Sequence, residues 1–543
     1  MQWDDRRTRF FSKRPAGLLS AASLALAVSL GSAATACRTS TEDVHRWANT
    51  AQGPRKLIAV LTHQKYPVDL RIEAAMTLIR MKPRGGRRIG IQGSDEQPGL
   101  VDALAQLPPT DRAKLIDRLV PALAAEMKTP PPKTQPGQPS TADDSFPYKD
   151  AAFALLTHEG GSVIAEEKNR RALRDALREW VAGDFANRMD ESSQIFGLEQ
   201  VLRELKAEGV RNLSELIEPG ARKIDRISEL IAELGDQPTK LRASQKLVQV
   251  ARDVASPGWI QQKAPAVQAA NKASKLNPTP EQFKAQLETY QEEELLKVFS
   301  SMKKVGGAPA VDYLLSFAQD ERNPEKRRAG ALAALEGNLD KNNPRHAEVA
   351  LAIASAKDTP DAVRDIALLR VGEFPRKLVV SKLYELFDYE NWKVRWVAAE
   401  LVLKLSGPEH VDEFMEHLGT AKGLAITEPL RYGALIGAMK GSPSPKELID
   451  KYLPPDHPVQ ARLSAFGYYY DVGTQEQLPT IQPYLEDRAK VEGCTEGAQD
   501  CEWKCTVGEG AQQETKDITT VGEFVRYCVQ PAMEKRKAQK LKQ

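Results

Sequence analysis

The sequence predicts an all-α chain, a solenoid of stacked antiparallel helix pairs closed by a small disulfide-bonded C-terminal segment. Three observations carry this. Arg-led helix starts recur at a near-regular period in the second half, apolar residues fall three or four apart over most of the length, and four of the five Cys lie in one late stretch. Across 543 residues, 28% charged against 6% aromatic content favours a helical, well-solvated surface, and the length exceeds one ordinary domain.

The chain opens with Arg6, Arg7, Arg9, Lys13 and Arg14, followed by an uncharged run from Ala16 to Ala36 and then Cys37. A basic head, an apolar middle and small residues at a cleavage point are the layout of a secretory signal, here residues 1–36. Ala34-Thr35-Ala36-Cys37 resembles the lipobox of bacterial lipoproteins. That resemblance implies acylation of Cys37 and a mature chain held at an envelope membrane, with the outer membrane the preferred location. Ala34 stands where the family usually has a large aliphatic residue, and cleavage without acylation would leave a soluble periplasmic or secreted protein. A single uncleaved span is disfavoured by the many Ala, Gly and Ser residues. Arg6-Arg7-Thr8-Arg9 matches a twin-arginine signal poorly, because Arg9 occupies an apolar position of that motif.

Residues 37–128 read as an N-terminal helical repeat region, with Pro67-Val68-Asp69-Leu70-Arg71-Ile72-Glu73-Ala74 as its clearest unit. Within it, Gly85 to Gly99 is polar and Gly-rich and reads as a mobile loop. Residues 129–147, with Pro130-Pro131-Pro132, read as a mobile linker that forms no core. The central region, 148–309, keeps helical spacing without a clean motif, as in Leu198, Val201, Leu202 and Leu205. It also holds a capping box, Thr279-Pro280-Glu281-Gln282, which predicts a helix running through Phe283, Leu287, Leu295 and Phe299.

The repeats are clearest over 310–487. Arg328-Ala329-Gly330-Ala331, Arg364-Asp365-Ile366-Ala367, Arg395-Trp396-Val397-Ala398, Arg431-Tyr432-Gly433-Ala434 and Arg462-Leu463-Ser464-Ala465 align, with Arg-to-Arg steps of 36, 31, 36 and 31 residues. Asn323-Pro324, Thr359-Pro360 and Asn391 precede three of them. Asn and Thr there are expected to accept amide hydrogens at a helix start, and Pro to occupy the first turn, where its missing amide hydrogen has no partner. Small Ala at the shared position allows neighbouring helices to approach closely. First helices are expected over Glu348 to Ala356, Val379 to Phe387, Val411 to Leu418, Glu447 to Leu453 and Leu478 to Leu485. These residues resemble the HEAT repeat family, which implies two antiparallel helices per unit and a protein-binding role. An Asp in the family's turn is missing from several copies, which puts a continuous Asp and Arg ladder in doubt.

Residues 488–530 carry Cys494, Cys501, Cys505 and Cys528. If Cys37 is acylated, an even four remain, and in an oxidising compartment two disulfides are the simplest outcome, with three pairings open. A zinc site would want paired C-x2-C knuckles, which this spacing lacks. Val521, Phe524, Val525 and Cys528 share a helical face that could dock on the last repeat. Residues 531–543 are a basic tail, Lys535-Arg536-Lys537 through Lys540 and Lys542, read as a frayed helix end.

No cofactor or metal motif is present among the seven His, and His410 and His417 lack acidic ligands at metal spacing. His158-Glu159 is a lone pair, whereas HEAT-like hydroxylases need several. No nucleophile elbow or phosphate-binding glycine loop occurs, so no catalytic residue is expected. The formal charge is +2, and removing the five basic and two acidic residues of 1–36 leaves a near-neutral chain, which argues against nucleic acid as partner. Tyr384, Phe387, Tyr389, Trp392 and Trp396 are expected mainly in the core. Of the consecutive Tyr468, Tyr469 and Tyr470, at least one must face outward and is a candidate partner contact. The function expected is a membrane-tethered, non-catalytic scaffold for an unknown protein partner. The alternatives are an envelope enzyme or accessory, or a structural protein that binds a cell-wall polymer.

Overall fold

In the computed structural model, the described residues are 39–131, 143–188, 195–421, 427–442, 444–491, 503–508 and 513–536. Cys37, Cys494, Cys501, the signal and lipobox, most of the Pro-rich segment and the tail beyond Arg536 lie outside them. Helices dominate the described chain, and the extended pieces are two antiparallel hairpins, Gly93–Ser94 with Gln97–Pro98 and Trp503–Val507 with Glu514–Ile518.

The second half is a HEAT-like stack. Ala308–Gln319, Pro344–Ser355 and Arg376–Glu385 form a row of first helices. Glu325–Ala334, Asp361–Val371, Trp392–Leu405, Thr427–Gly437 and Val459–Val472 form a row of second helices, each packed on the next. The stack continues upstream through the helix Pro280–Val305, which opens on the expected Thr279 capping box and packs against Ile224–Leu234, Gln237–Ala255 and Glu325–Ala334. It begins with Thr41–Trp47, Gly53–Thr62 and Val68–Arg80.

The repeated Arg is the joint of each unit. It lies in the first turn of the second helix, fully or nearly buried, at positions 71, 328, 364, 395 and 462. From there it reaches the C-terminal end of the preceding first helix. The Nε of Arg71, Arg328, Arg364 and Arg462 donates to the carbonyls of Leu61, Ala318, Ala354 and Leu453 at 2.7, 2.8, 3.2 and 3.0 Å. Arg395 donates instead to the carbonyls of Tyr389 and Glu390. The last carbonyls of a helix have no partner inside it, and a cation there also meets the negative end of the helix dipole. One side chain thus caps one helix from the start of the next and sets the angle between them. Three residues on, Ala74, Ala331, Ala367, Ala398 and Ala465 are almost completely buried, the small contact that the pattern requires.

Three details depart from the sequence reading. Pro324, Pro360 and Pro458 occupy the N-cap rather than the first turn, in extended backbone conformation. Asn323 is then displaced outward and donates to the Phe317 carbonyl at 2.8 Å, whereas Asn391 does cap, accepting from the Lys393 amide. Arg431 is exposed and does not share the capping position. Its helix presses backbone to backbone on Val459–Val472. A Cβ on Gly433 would stand 1.8 Å from the Ser464 carbonyl oxygen, and one on Gly467 2.0 Å from that of Leu430.

The Gly-rich stretch 85–99 is folded, not an open loop. Gly85 and Gly86, both at positive φ, make a two-residue turn closed by the reciprocal hydrogen bonds of Arg84 and Arg87. Arg88 then turns inward to a buried ion cluster. Asp150, fully buried, is 2.7 Å from Arg88 Nε and 2.6 Å from Lys149 Nζ, and it also accepts the amides of Ile195 and Phe196. Lys149 Nζ sits 4.9 Å from the Phe146 ring. Beside it, Arg188 pairs with Asp143 and lies 4.6 Å from the Trp180 ring, while Trp180 donates to Ser145 at 2.6 Å.

Two predictions follow from these pairs. Asp150→Ala leaves two cations buried without their carboxylate and should cost about 3–5 kcal/mol in denaturant unfolding, whereas joint apolar replacement of Arg88, Lys149 and Asp150 should recover most of it. At the first repeat, Arg71 holds Asp111 in a bidentate pair at 2.8 and 2.6 Å, which keeps that carboxyl below its ordinary pKa despite its burial. Its stabilisation is present above the unfolded value of about 3.9 and disappears as pH falls through the lower folded value. The stability advantage of the native chain over Asp111→Asn should therefore be full at pH ~6 and shrink below pH ~4.

Candidate partner-binding face

A solenoid exposes one side of each helix row, and the second-helix row carries an unusual concentration of apolar side chains there. On Trp392–Leu405, Trp392 is 49% exposed and Trp396, one turn on, is half-buried. The Arg431 guanidinium from the next helix lies 5.2 Å from the Trp396 ring, and Tyr432 packs on the same ring at 5.4 Å. Leu435, one turn after Arg431, is 36% exposed. On Val459–Val472, Tyr468 lies against Gly437, and Val472, one turn further, is 48% exposed. Residues four apart share a helix face, so Trp392 with Trp396, Arg431 with Leu435, and Tyr468 with Val472 form three rungs on adjacent helices. The absence of a side chain at Gly433 and Gly437 brings the second and third rungs close.

The aromatic residues singled out in the sequence divide between core and surface. Tyr384 and Phe387 are buried, and Tyr384 stacks on His417 at 3.8 Å between ring centroids, while Tyr389 is half-buried and its hydroxyl accepts from Arg364. Trp392 and Trp396 belong to the exposed strip. Tyr469 is not a surface contact: it is fully buried and donates its hydroxyl proton to Asp450, and burial together with that carboxylate pushes its pKa up. Tyr470 is half-buried near Phe524 under the C-terminal segment. Tyr468 is the member of the trio that reaches the strip. Leu435 and Val472 were missed, because a single exposed aliphatic residue has no sequence signature.

The C-terminal segment docks at the end of the stack beside this strip. Val521, Phe524, Val525 and Cys528 are buried, as their spacing predicts, and the helix turns to π geometry over Val525–Val529, so that Val529 and Met533 also point inward. Among the described Cys, Cys505 is disulfide-bonded to Cys528, tying the Trp503–Val507 strand to this helix. Arg462 pairs with Asp487, and Arg536 donates to the carbonyls of Tyr469, Tyr470 and Gly473, capping Val459–Val472 as the repeat arginines cap the first helices. The tail thus starts with a packed residue, not a frayed one.

Among the described residues no group of three His, Cys, Asp or Glu is placed to hold a metal. His158 and Glu159 line an open acidic groove of about 600 Å³ with Asp95, Glu96 and Asp102. No described helix is long and apolar enough to cross a membrane.

No protein-family model and no curated protein matches the chain. Its fold is similar to solved helical structures. Against the crystal structure of Kap121p the identity is 13% and the TM-score 0.30, covering 82% of this chain and 46% of that one. The structure of the karyopherin Kap121p bound to the SUMO protease Ulp1p gives 12% and 0.30, with 82% and 46% covered. Importin beta gives 13% and 0.23, with 82% and 64% covered. The chain therefore spans less than half the length of Kap121p.

Reducing or deleting the Cys505–Cys528 bond should loosen the C-terminal segment by about 2–4 kcal/mol. Limited proteolysis of the Cys505→Ala/Cys528→Ala chain should then cut within 503–536 first, with the repeats upstream still protected.

Proposed function

We propose that this chain is a non-catalytic helical-repeat scaffold that binds a protein partner along the outward face of its second helices, while Cys37 tethers it by lipid to a bacterial envelope membrane. The observation that carries the binding reading is the Trp392, Trp396, Arg431, Leu435, Tyr468 and Val472 strip. Trp, Tyr and Arg are the side chains that contribute most at protein interfaces, and here they stand on a rigid row of helices that needs little reordering on binding. Trp396 and Tyr468 pack in part on the core, whereas Trp392, Arg431, Leu435 and Val472 are exposed.

The tether reading rests on the basic head, the apolar run and the Ala34 to Cys37 motif. It places the scaffold in an oxidising compartment, in keeping with a disulfide at Cys505 and Cys528.

A photo-crosslinking side chain at Leu435, in intact cells, should yield a discrete protein adduct, and the same probe at Lys284, on the far helix Pro280–Val305, should not. Trp392→Ala and Arg431→Ala should leave the melting transition nearly unchanged, as for exposed sites generally, and weaken the captured complex about tenfold or more. Identical adducts from both probe positions, or full binding by the double variant, would overturn the reading.

A further inference from the structure

Near the start of the stack, four exposed cations gather at one corner, while the acidic Glu42 and Asp43 stand at the opposite end of the helix Thr41–Trp47. Gly53–Thr62 has no acidic residue in its first turn, and Arg55 and Lys56 stand there instead, both exposed. Cations at that end oppose the positive end of the helix dipole, so they weaken the helix they belong to and raise the local positive potential. The Gly85-Gly86 turn adds Arg84 and Arg87, both exposed, and Arg84 Nη2 donates to the Thr50 carbonyl at 3.1 Å, which fixes this turn beside the first helical connection. None of Arg55, Lys56, Arg84 and Arg87 has a carboxylate within ion-pair distance among the described residues. Trp47 lies half-buried in the same corner, with Lys56 Nζ 5.2 Å from its ring.

The position of this corner in the chain is as telling as its charge. Three residues separate Cys37 from Thr41, where the first helix starts, and they span at most about 14 Å. The helix Thr41–Trp47 then covers about 10 Å more to reach Trp47. A bilayer that holds Cys37 is thus within reach of the basic corner. Basic residues that flank an indole are the composition that suits a headgroup layer, where the ring sits at the apolar boundary and the cations meet phosphate.

We propose that the end of the stack formed by Trp47, Arg55, Lys56, Arg84 and Arg87 lies against the anionic headgroups of the bilayer that anchors Cys37, so that lipid and charge together orient the solenoid. This rests on the tethered reading of Cys37. The lipid holds the N-terminus at the bilayer, and the basic patch adds an attachment that a flexible anchor does not supply, a fixed face of the folded chain. The contact would also limit the orientations the stack can take relative to the membrane.

The test uses the chain from residue 37 onward with Cys37→Ser, which carries no acyl group, in sedimentation with phosphatidylcholine vesicles that contain about one third phosphatidylglycerol. Binding should occur, fall with added salt, and be absent with phosphatidylcholine alone. Arg84→Gln/Arg87→Gln should weaken it roughly 25-fold, about fivefold for each charge, whereas Lys272→Gln/Lys275→Gln, at a distant exposed turn, should change it by less than about twofold. No binding, equal binding to neutral vesicles, or equal losses in the two double variants would overturn the proposal. Binding to soluble polyglutamate as tight as to vesicles at equal charge would overturn the lipid assignment in favour of an acidic partner. Mass spectrometry of the N-terminus of the protein from cells tests the tether separately. An unmodified Cys37 sinks the anchored reading whatever the vesicles show.

Discussion

The structure depends on one interaction used repeatedly: in four of the units an Arg in the first turn of the second helix donates its Nε to a carbonyl at or just past the end of the helix before it. A helix end inside a packed stack has to find donors for its carbonyls, and water is not at hand to provide them. Supplying the donor from the next helix couples capping to geometry. The pair can only satisfy its polar groups at the crossing angle that also seats the Ala three residues on.

What the capping arginines do with their remaining donors differs along the stack. Arg71 has a bidentate carboxylate in Asp111, and Arg462 has Asp487, so the two ends of the repeat series carry Arg and Asp pairs. In between, Arg364 bonds the carbonyls of Ala356 and Lys357 and the Tyr389 hydroxyl, and its carboxylate partner is the exposed Asp361 of its own helix at 3.1 Å. Carbonyl capping is thus shared by these arginines but not by Arg431, while the carboxylate partner changes from unit to unit.

The stack is completed by two devices that do not repeat. Near its start, the Asp150 cluster gathers the Arg84 to Arg88 turn, the helix Phe146–Thr157 and the segment at 195–196 around buried charge. At its end, the Cys505–Cys528 segment covers Val459–Val472 and Arg536 closes that helix. An open solenoid would otherwise present an apolar face at its last repeat. Between these two ends the outward strip of second helices is left uncovered, which is why it is the candidate binding face.

The helical class, the recurrence of the units, the capping box at Thr279 and the docking face of the last helix were legible in the chain, because each is a local pattern with a period set by helix geometry. The same pattern showed that Arg and Ala recur, but not what the Arg does. That depends on the packed fold, since its acceptors lie five to ten residues back and across a turn. The exposure of Arg431 and the close contact of Gly433 with Ser464 are likewise visible only in the packed helices, and the buried cluster joins Arg88, Asp150 and Phe196, none of which is unusual where it stands. Three consecutive tyrosines required that one face outward. Which one was settled by the hydrogen bond that draws Tyr469 to Asp450 and by the glycine that makes room for Tyr468.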